Sequence, residues 1–168
     1  MEKQIYMPRR KDPYRSQSKP RGQPECDACG AISLKGRWIP PSVLSKTKRE
    51  DSGRHPAGQL CPACEQARDH YAGGVVELHG ERWKPYEAEV METVRNTESI
   101  ARYRNDQRRV FDIAPSRDKE NVTEIYVTLP QLAKDIGRVL QRSFKGKVQT
   151  HKTSEEPFVR IVWDSDAA

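Results

Sequence analysis

Val122-Thr123-Glu124-Ile125-Tyr126-Val127-Thr128-Leu129-Pro130-Gln131-Leu132-Ala133 changes its hydrophobic period partway along, and that change sets the fold class. Up to Val127 the apolar residues Ile125 and Val127 alternate with Glu124 and Tyr126, the repeat of a strand with one buried face. Beyond Thr128 the spacing is helical: Leu132, Ala133, Ile136, Val139 and Leu140 form one stripe, closed by Gly146. Thr128-Leu129-Pro130-Gln131 matches a capping box, in which the Thr128 hydroxyl takes free amides of the first turn and Gln131 reaches back.

The flanks extend the pattern. Arg109 to Ile113 reads as a strand before the polar loop Ala114 to Asn121. Lys147 to His151 and Phe158 to Trp163 read as two strands joined by a turn around Ser154-Glu155-Glu156, with Val159, Ile161 and Trp163 sharing a face. Residues 107–164 are therefore expected to form a β-β-α-β-β domain, an antiparallel sheet covered by one helix. Its other face is expected to be solvated and partly basic, through Arg109 and Arg160. Upstream, Pro85 to Arg104 has Val90, Met91, Val94, Thr97 and Ala101 at helical spacing, acidic residues early and Arg102 and Arg104 late. This predicts a linking helix within residues 83–106. A short helix over Glu65–Tyr71 and a brief strand from Val75 to Leu78, closed by Gly80, are assigned to the segment before it.

That segment, residues 24–82, holds every cysteine in the chain, as Cys26-Asp27-Ala28-Cys29 and Cys61-Pro62-Ala63-Cys64. Gly30 suits a tight turn behind the second sulfur, and Pro62 stiffens the second turn. Two such turns face to face supply the tetrahedral thiolate set of a closed Zn²⁺ site, which leaves no position for a catalytic water. The alternatives are two disulfides, in any of three connectivities, or a thioredoxin-type pair at Cys61-Pro62-Ala63-Cys64. Residues 1–25 show no apolar secretory region, so a reducing, cytoplasmic setting is expected. No strand is expected just before Cys61. Zinc bound by Cys26, Cys29, Cys61 and Cys64 is the reading these features favour.

Composition and charge narrow the partners. The chain of 168 residues is 35% hydrophobic and 32% charged with a formal charge of +6, and no apolar run is long enough to span a bilayer. Cations concentrate in residues 1–23, expected to be a disordered arm: Arg9, Arg10, Lys11 and Arg15 stand among prolines, with Tyr6 and Tyr14 available for base stacking. The insert between the cysteine pairs repeats the bias with Lys35, Arg37, Lys48 and Arg49, and Ser42 to Gly58 reads as a mobile loop. Trp38, next to Lys35-Gly36-Arg37, either caps the metal core or stacks on a base. Lys35, Arg37, Trp38 and the other cations named are thus candidate nucleic-acid contacts. The four histidines are scattered and make no nucleophile or hydrolase motif; His70, close behind the second cysteine pair, is the one hint of a zinc-stapled nuclease.

The two cysteine pairs, the run Arg68-Asp69 with Tyr71, Gly73-Gly74 followed by Val76-Glu77-Leu78-His79-Gly80, and the closing Val159-Arg160-Ile161-Val162-Trp163 resemble a family of short bacterial zinc proteins. That family in turn resembles the large-ribosomal-subunit export adaptor of the nonsense-mediated-decay family. The resemblance covers roughly residues 24–164 and implies association with RNA or the ribosome. This chain departs from the adaptor in having only two cysteine pairs and no extended tail of export or import signals, so an export role does not carry over. The expectation is an α+β, non-enzymatic, zinc-stapled protein with RNA or the ribosome as partner. A protein-interaction adaptor, with a protein partner at the C-terminal sheet, is the second reading.

Overall fold

The computed structural model describes residues 14, 23–44, 59–152 and 157–167, and the chain is α+β as its periodicities imply. In chain order the elements are β1 (Ile32–Leu34), β2 (Arg37–Ile39), α1 (Pro41–Leu44), α2 (Pro62–Arg68), β3 (Gly74–His79), α3 (Glu87–Arg104), β4 (Val110–Pro115), β5 (Thr123–Val127), α4 (Pro130–Phe144), β6 (Lys147–Lys152) and β7 (Val159–Asp164). A single 3₁₀ turn, Lys84–Tyr86, leads into α3.

β4 and β5 form one antiparallel hairpin and β6 and β7 another, as the alternating patterns predict. The hairpins do not pair with each other. β3 lies between them, antiparallel to β5 and parallel to β7, giving the five-stranded order β4-β5-β3-β7-β6. The strand that the sequence reading placed with the cysteines is thus the middle of the sheet. The physical reason lies in its composition: Gly74 to Leu78 is buried without interruption, the signature of a central strand covered on both faces rather than of an edge.

The helices cover one face. Leu132, Ala133, Ile136 and Leu140 of α4 sit on Val76, Leu78, Ile125, Val127, Val159, Ile161 and Trp163, all buried. Gly137 lets α4 approach closely: a Cβ there would lie 2.5 Å from Cγ2 of Ile161. α3 does not merely link two modules. It packs along α4, and its Val90, Val94 and Ala101, with Trp83, belong to the same core. The capping box is absent: Leu129 is the N-cap of α4 and makes no side-chain cap, while Gln131 bonds Asp135. Thr128 spends its hydroxyl elsewhere, accepting from the Arg109 amide at 2.9 Å and donating to the Gln107 carbonyl.

The opposite sheet face is polar but not simply solvated. Glu77, pointing away from Val76 and Leu78, is fully buried and accepts from Lys119 at 2.7 and 2.9 Å, from Arg160, and shares a 2.8 Å bond with His79. Arg160 is therefore on this face as expected, but half-buried and paired. Burial alone would raise the Glu77 pKa; the bonds from Lys119, His79 and Arg160 outweigh it and hold the carboxyl at about 2, against an ordinary 4.5.

Because the folded pKa lies below the unfolded one, the ionised cluster stabilises the fold at all pH values above about 4.5, and that contribution is lost as pH falls toward 2. Urea midpoints measured from pH 7 to pH 2 should fall across this window, and Glu77→Gln should flatten that segment of the curve while lowering stability at neutral pH. An unchanged acid limb in Glu77→Gln would show that the cluster contributes nothing.

Candidate metal centre

The first cysteine turn is fixed by its own backbone. The Cys26 amide donates to the Ala31 carbonyl and the Gly30 amide to the Cys26 carbonyl, each at 2.8 Å, with Gly30 at φ 68 closing the loop. Ile32 pairs with Glu25, and β1 turns into β2 through Lys35 and Gly36, both at positive φ, a two-residue hairpin turn of the primed kind. In the second turn Cys61 is the N-cap of α2 and Pro62 follows with its φ already suited to a helix start. The turns are bonded to each other, Asp27 amide to Gln59 carbonyl at 3.0 Å and Cys61 amide to Cys26 Sγ at 3.2 Å.

This brings the four sulfurs of Cys26, Cys29, Cys61 and Cys64 within 4.8 Å of one another. Cys29 and Cys61 are 3.8 Å apart, far beyond a disulfide bond of about 2.05 Å, and all four cysteines are free. A metal ion bound tetrahedrally by thiolates at about 2.3 Å separates its sulfurs by about 3.8 Å, so the Cys29–Cys61 edge already has the length a metal needs. Among the described residues it is the one group of side chains so arranged.

The electrostatics point the same way. Its hydrogen bond with Cys61 draws the Cys29 thiol down to about 4 against the effect of burial, aided by the Ala31 backbone and Arg109, and the Cys61 thiol is pushed up in consequence. Burial raises Cys64 to about 11. One thiolate is thus favoured at the expense of its neighbours, and gathering four in a half-buried cluster requires a multivalent counter-charge.

Part of that counter-charge comes from Arg109, which the sequence reading placed on the outer sheet face. Its sequence neighbourhood turns it inward, because the chain enters β4 through a tight segment and the Arg109 amide is held by Thr128. Arg109 is 9% exposed, and its guanidinium donates to Cys64 Sγ and Cys29 Sγ, both at 3.3 Å. It also donates through Nε to the Asp106 carbonyl at 2.8 Å and forms an ion pair with the buried Asp106 carboxylate, which Arg102 approaches at 3.1 Å from α3. Gln107 adds a further tie, accepting from the Ala63 amide at 2.9 Å. No spacing within either cysteine pair signals these residues, since Arg109 lies 45 positions beyond Cys64.

Lys35 and Arg37 are exposed at the hairpin tip, beside the centre. Trp38 is half-buried and packs with Leu60 against Cys26, Ala31, Cys61 and Ala63, the capping role of its two alternatives. Arg9, Arg10, Lys11, Arg15, Lys48 and Arg49 lie outside the described residues. Tyr14, read as a stacking residue, donates its hydroxyl to Asp69 at 2.8 Å and sets its ring 4.9 Å from that of Tyr71. His70 occupies the left-handed turn after α2, at φ 51.

Cys61→Ser should abolish metal retention, measured by metal analysis of freshly reduced protein. Arg109→Met, similar in length but unable to donate, should weaken metal binding about 10- to 100-fold in competition with a chromophoric chelator; an unaltered affinity would reduce the guanidinium to a bystander. Trp38→Ala should cost about 2 kcal/mol of stability, read from thermal melts, because a half-buried indole is removed from a small cluster.

Compared with protein-family models, with curated proteins and with solved structures, the chain matches none. The metal centre is accordingly assigned from its four sulfurs and their surroundings alone.

Proposed function

We propose that the chain is a non-enzymatic zinc protein that associates with RNA or the ribosome. Zinc is favoured over other metals by the all-thiolate donor set and its compact spacing, and four protein ligands make the ion structural. The observation that carries the RNA reading is the β1–β2 hairpin. Its Trp38 packs at the metal side, while its tip displays the exposed cations Lys35 and Arg37. A metal that fixes such a hairpin holds positive charge at a defined place, which suits phosphate recognition. The sequence supports this with the cation-rich arm and insert on either side of the first cysteine pair, and the resemblance to ribosome-associated zinc proteins agrees.

The adaptor reading has weaker support. Strand addition needs an open sheet edge, and both edges are blunted. β6 carries Lys147 and Lys152 at its ends, while β4 has a register shift between Val110 and Asp112 and ends at Pro115.

Capture of the tagged protein from lysate, with and without ribonuclease, tests the partner class: RNA or ribosomal particles should co-purify and be lost on digestion. Binding to the purified RNA should weaken steeply with salt, and removing residues 2–21 or combining Lys35→Ala with Arg37→Ala should lower the slope by about one unit per lost phosphate contact without metal loss. Ribonuclease-resistant, salt-insensitive capture of protein alone would replace this reading with the adaptor.

A further inference from the structure

A groove of about 400 Å³ lies between the segment that follows β2 and the outer side of the C-terminal half of α3. Pro40, Pro41 and Val43 form one wall, and Arg95, Glu98, Arg102 and Tyr103 the other. The outer face of this helix is rich in charged residues. The groove gives it a shape.

Three observations give the groove a chemistry. Tyr103 is 77% exposed, the most exposed large apolar residue among those described, and Ile100, one turn earlier, is 64% exposed. Arg95 is exposed and has no ion-pair partner among the described residues. Arg102 directs only Nε and Nη2 to Asp106, leaving the rest of its donor fork available, and it lies two helical turns, about 10.5 Å, from Arg95. Glu98, the single acidic lining residue, already accepts from the Val110 amide at 3.2 Å. The lining therefore presents two cations against one engaged carboxylate, beside an unstacked aromatic ring. Pro40 directly follows β2, so Arg37 is only three residues from the wall, and Lys46, Lys48 and Arg49 follow it in the chain.

We infer that this groove binds one unpaired nucleotide of a single-stranded RNA, its base stacked on Tyr103 and its phosphates held by Arg95 and Arg102. A cleft of this size excludes a duplex, and an exposed aromatic ring with neighbouring arginines is the arrangement that holds single strands without reading their sequence. The inference rests on the RNA reading above and locates a contact that neither the basic arm nor the hairpin supplies.

The test uses zinc-loaded full-length protein and a 12-nucleotide single-stranded oligouridylate carrying 4-thiouridine, in fluorescence-anisotropy titrations and photocrosslinking. Tyr103→Ala should weaken binding about tenfold, Tyr103→Phe should retain it, and Arg95→Gln should lower the salt slope by about one unit, with metal content and melting temperature unchanged in all three. The crosslink should map to α3 or to Pro40–Val43. If Tyr103→Ala and Arg95→Gln bind like the parent while the Lys35→Ala, Arg37→Ala double variant does not, the groove assignment is wrong and the RNA reading stands. If the parent protein shows no salt-sensitive binding to the oligonucleotide, to longer RNA or to ribosomes, both fall. If Tyr103→Ala leaves RNA binding intact but loses a co-purifying protein, the groove is a protein surface and the inference is overturned.

Discussion

A guanidinium held between two sulfurs and a buried carboxylate is the contact on which the rest of this molecule depends. Arg109 touches Cys29 and Cys64 on one side and Asp106 on the other, with almost no exposure to water. Charge buried this deeply is tolerated only when each partner compensates the others. Burial disfavours the Arg109 charge, and the sulfurs of Cys61 and Cys29 together with Asp106 more than restore it. The cysteine turns would otherwise be a small satellite with a core of a few side chains, too little to orient itself against the sheet. Through Arg109, Gln107 and Thr128 they are instead tied to the loop between α3 and β4 and to the end of β5.

The same contact explains how charge is apportioned around the centre. Cations at the hairpin tip face water and are free for a partner, whereas Arg109 is consumed within the protein and Arg102 is divided between the two roles. On the far face of the sheet the cations of Arg160 and Lys119 are likewise spent, on Glu77. Net charge taken from composition therefore overstates what the sheet offers to an anion.

What the sequence revealed and what it hid follow from the range of each interaction. The cysteine turns and the α4 stripe depend on residues three or four apart, so local spacing displayed them. β3 was visible as an apolar run but not as the sheet centre, because its partners are distant and a strand buried on both faces lacks the alternation that would advertise its role. Thr128-Leu129-Pro130-Gln131 fitted a helix-start pattern that the fold does not use, since one hydroxyl cannot cap a helix while serving the Arg109 amide and the Gln107 carbonyl. Arg109 itself was assigned to the wrong face because the tight segment before β4, not strand alternation, sets its direction.

The position of β3 also governs how the molecule must be made. It emerges from synthesis before either of the hairpins that flank it, with two unpaired edges and side chains that are all but one buried in the finished fold. Neither edge is satisfied until β5 arrives on one side and, much later, β7 on the other. Until then the nascent chain carries an adhesive strand, and sheet closure waits on a parallel pairing of long loop, the slow kind. The cysteine turns, whose hydrogen bonds are mostly among themselves, are complete well before that point. A chain that captures a metal early thus holds its two cysteine turns together while its central strand is still waiting for partners.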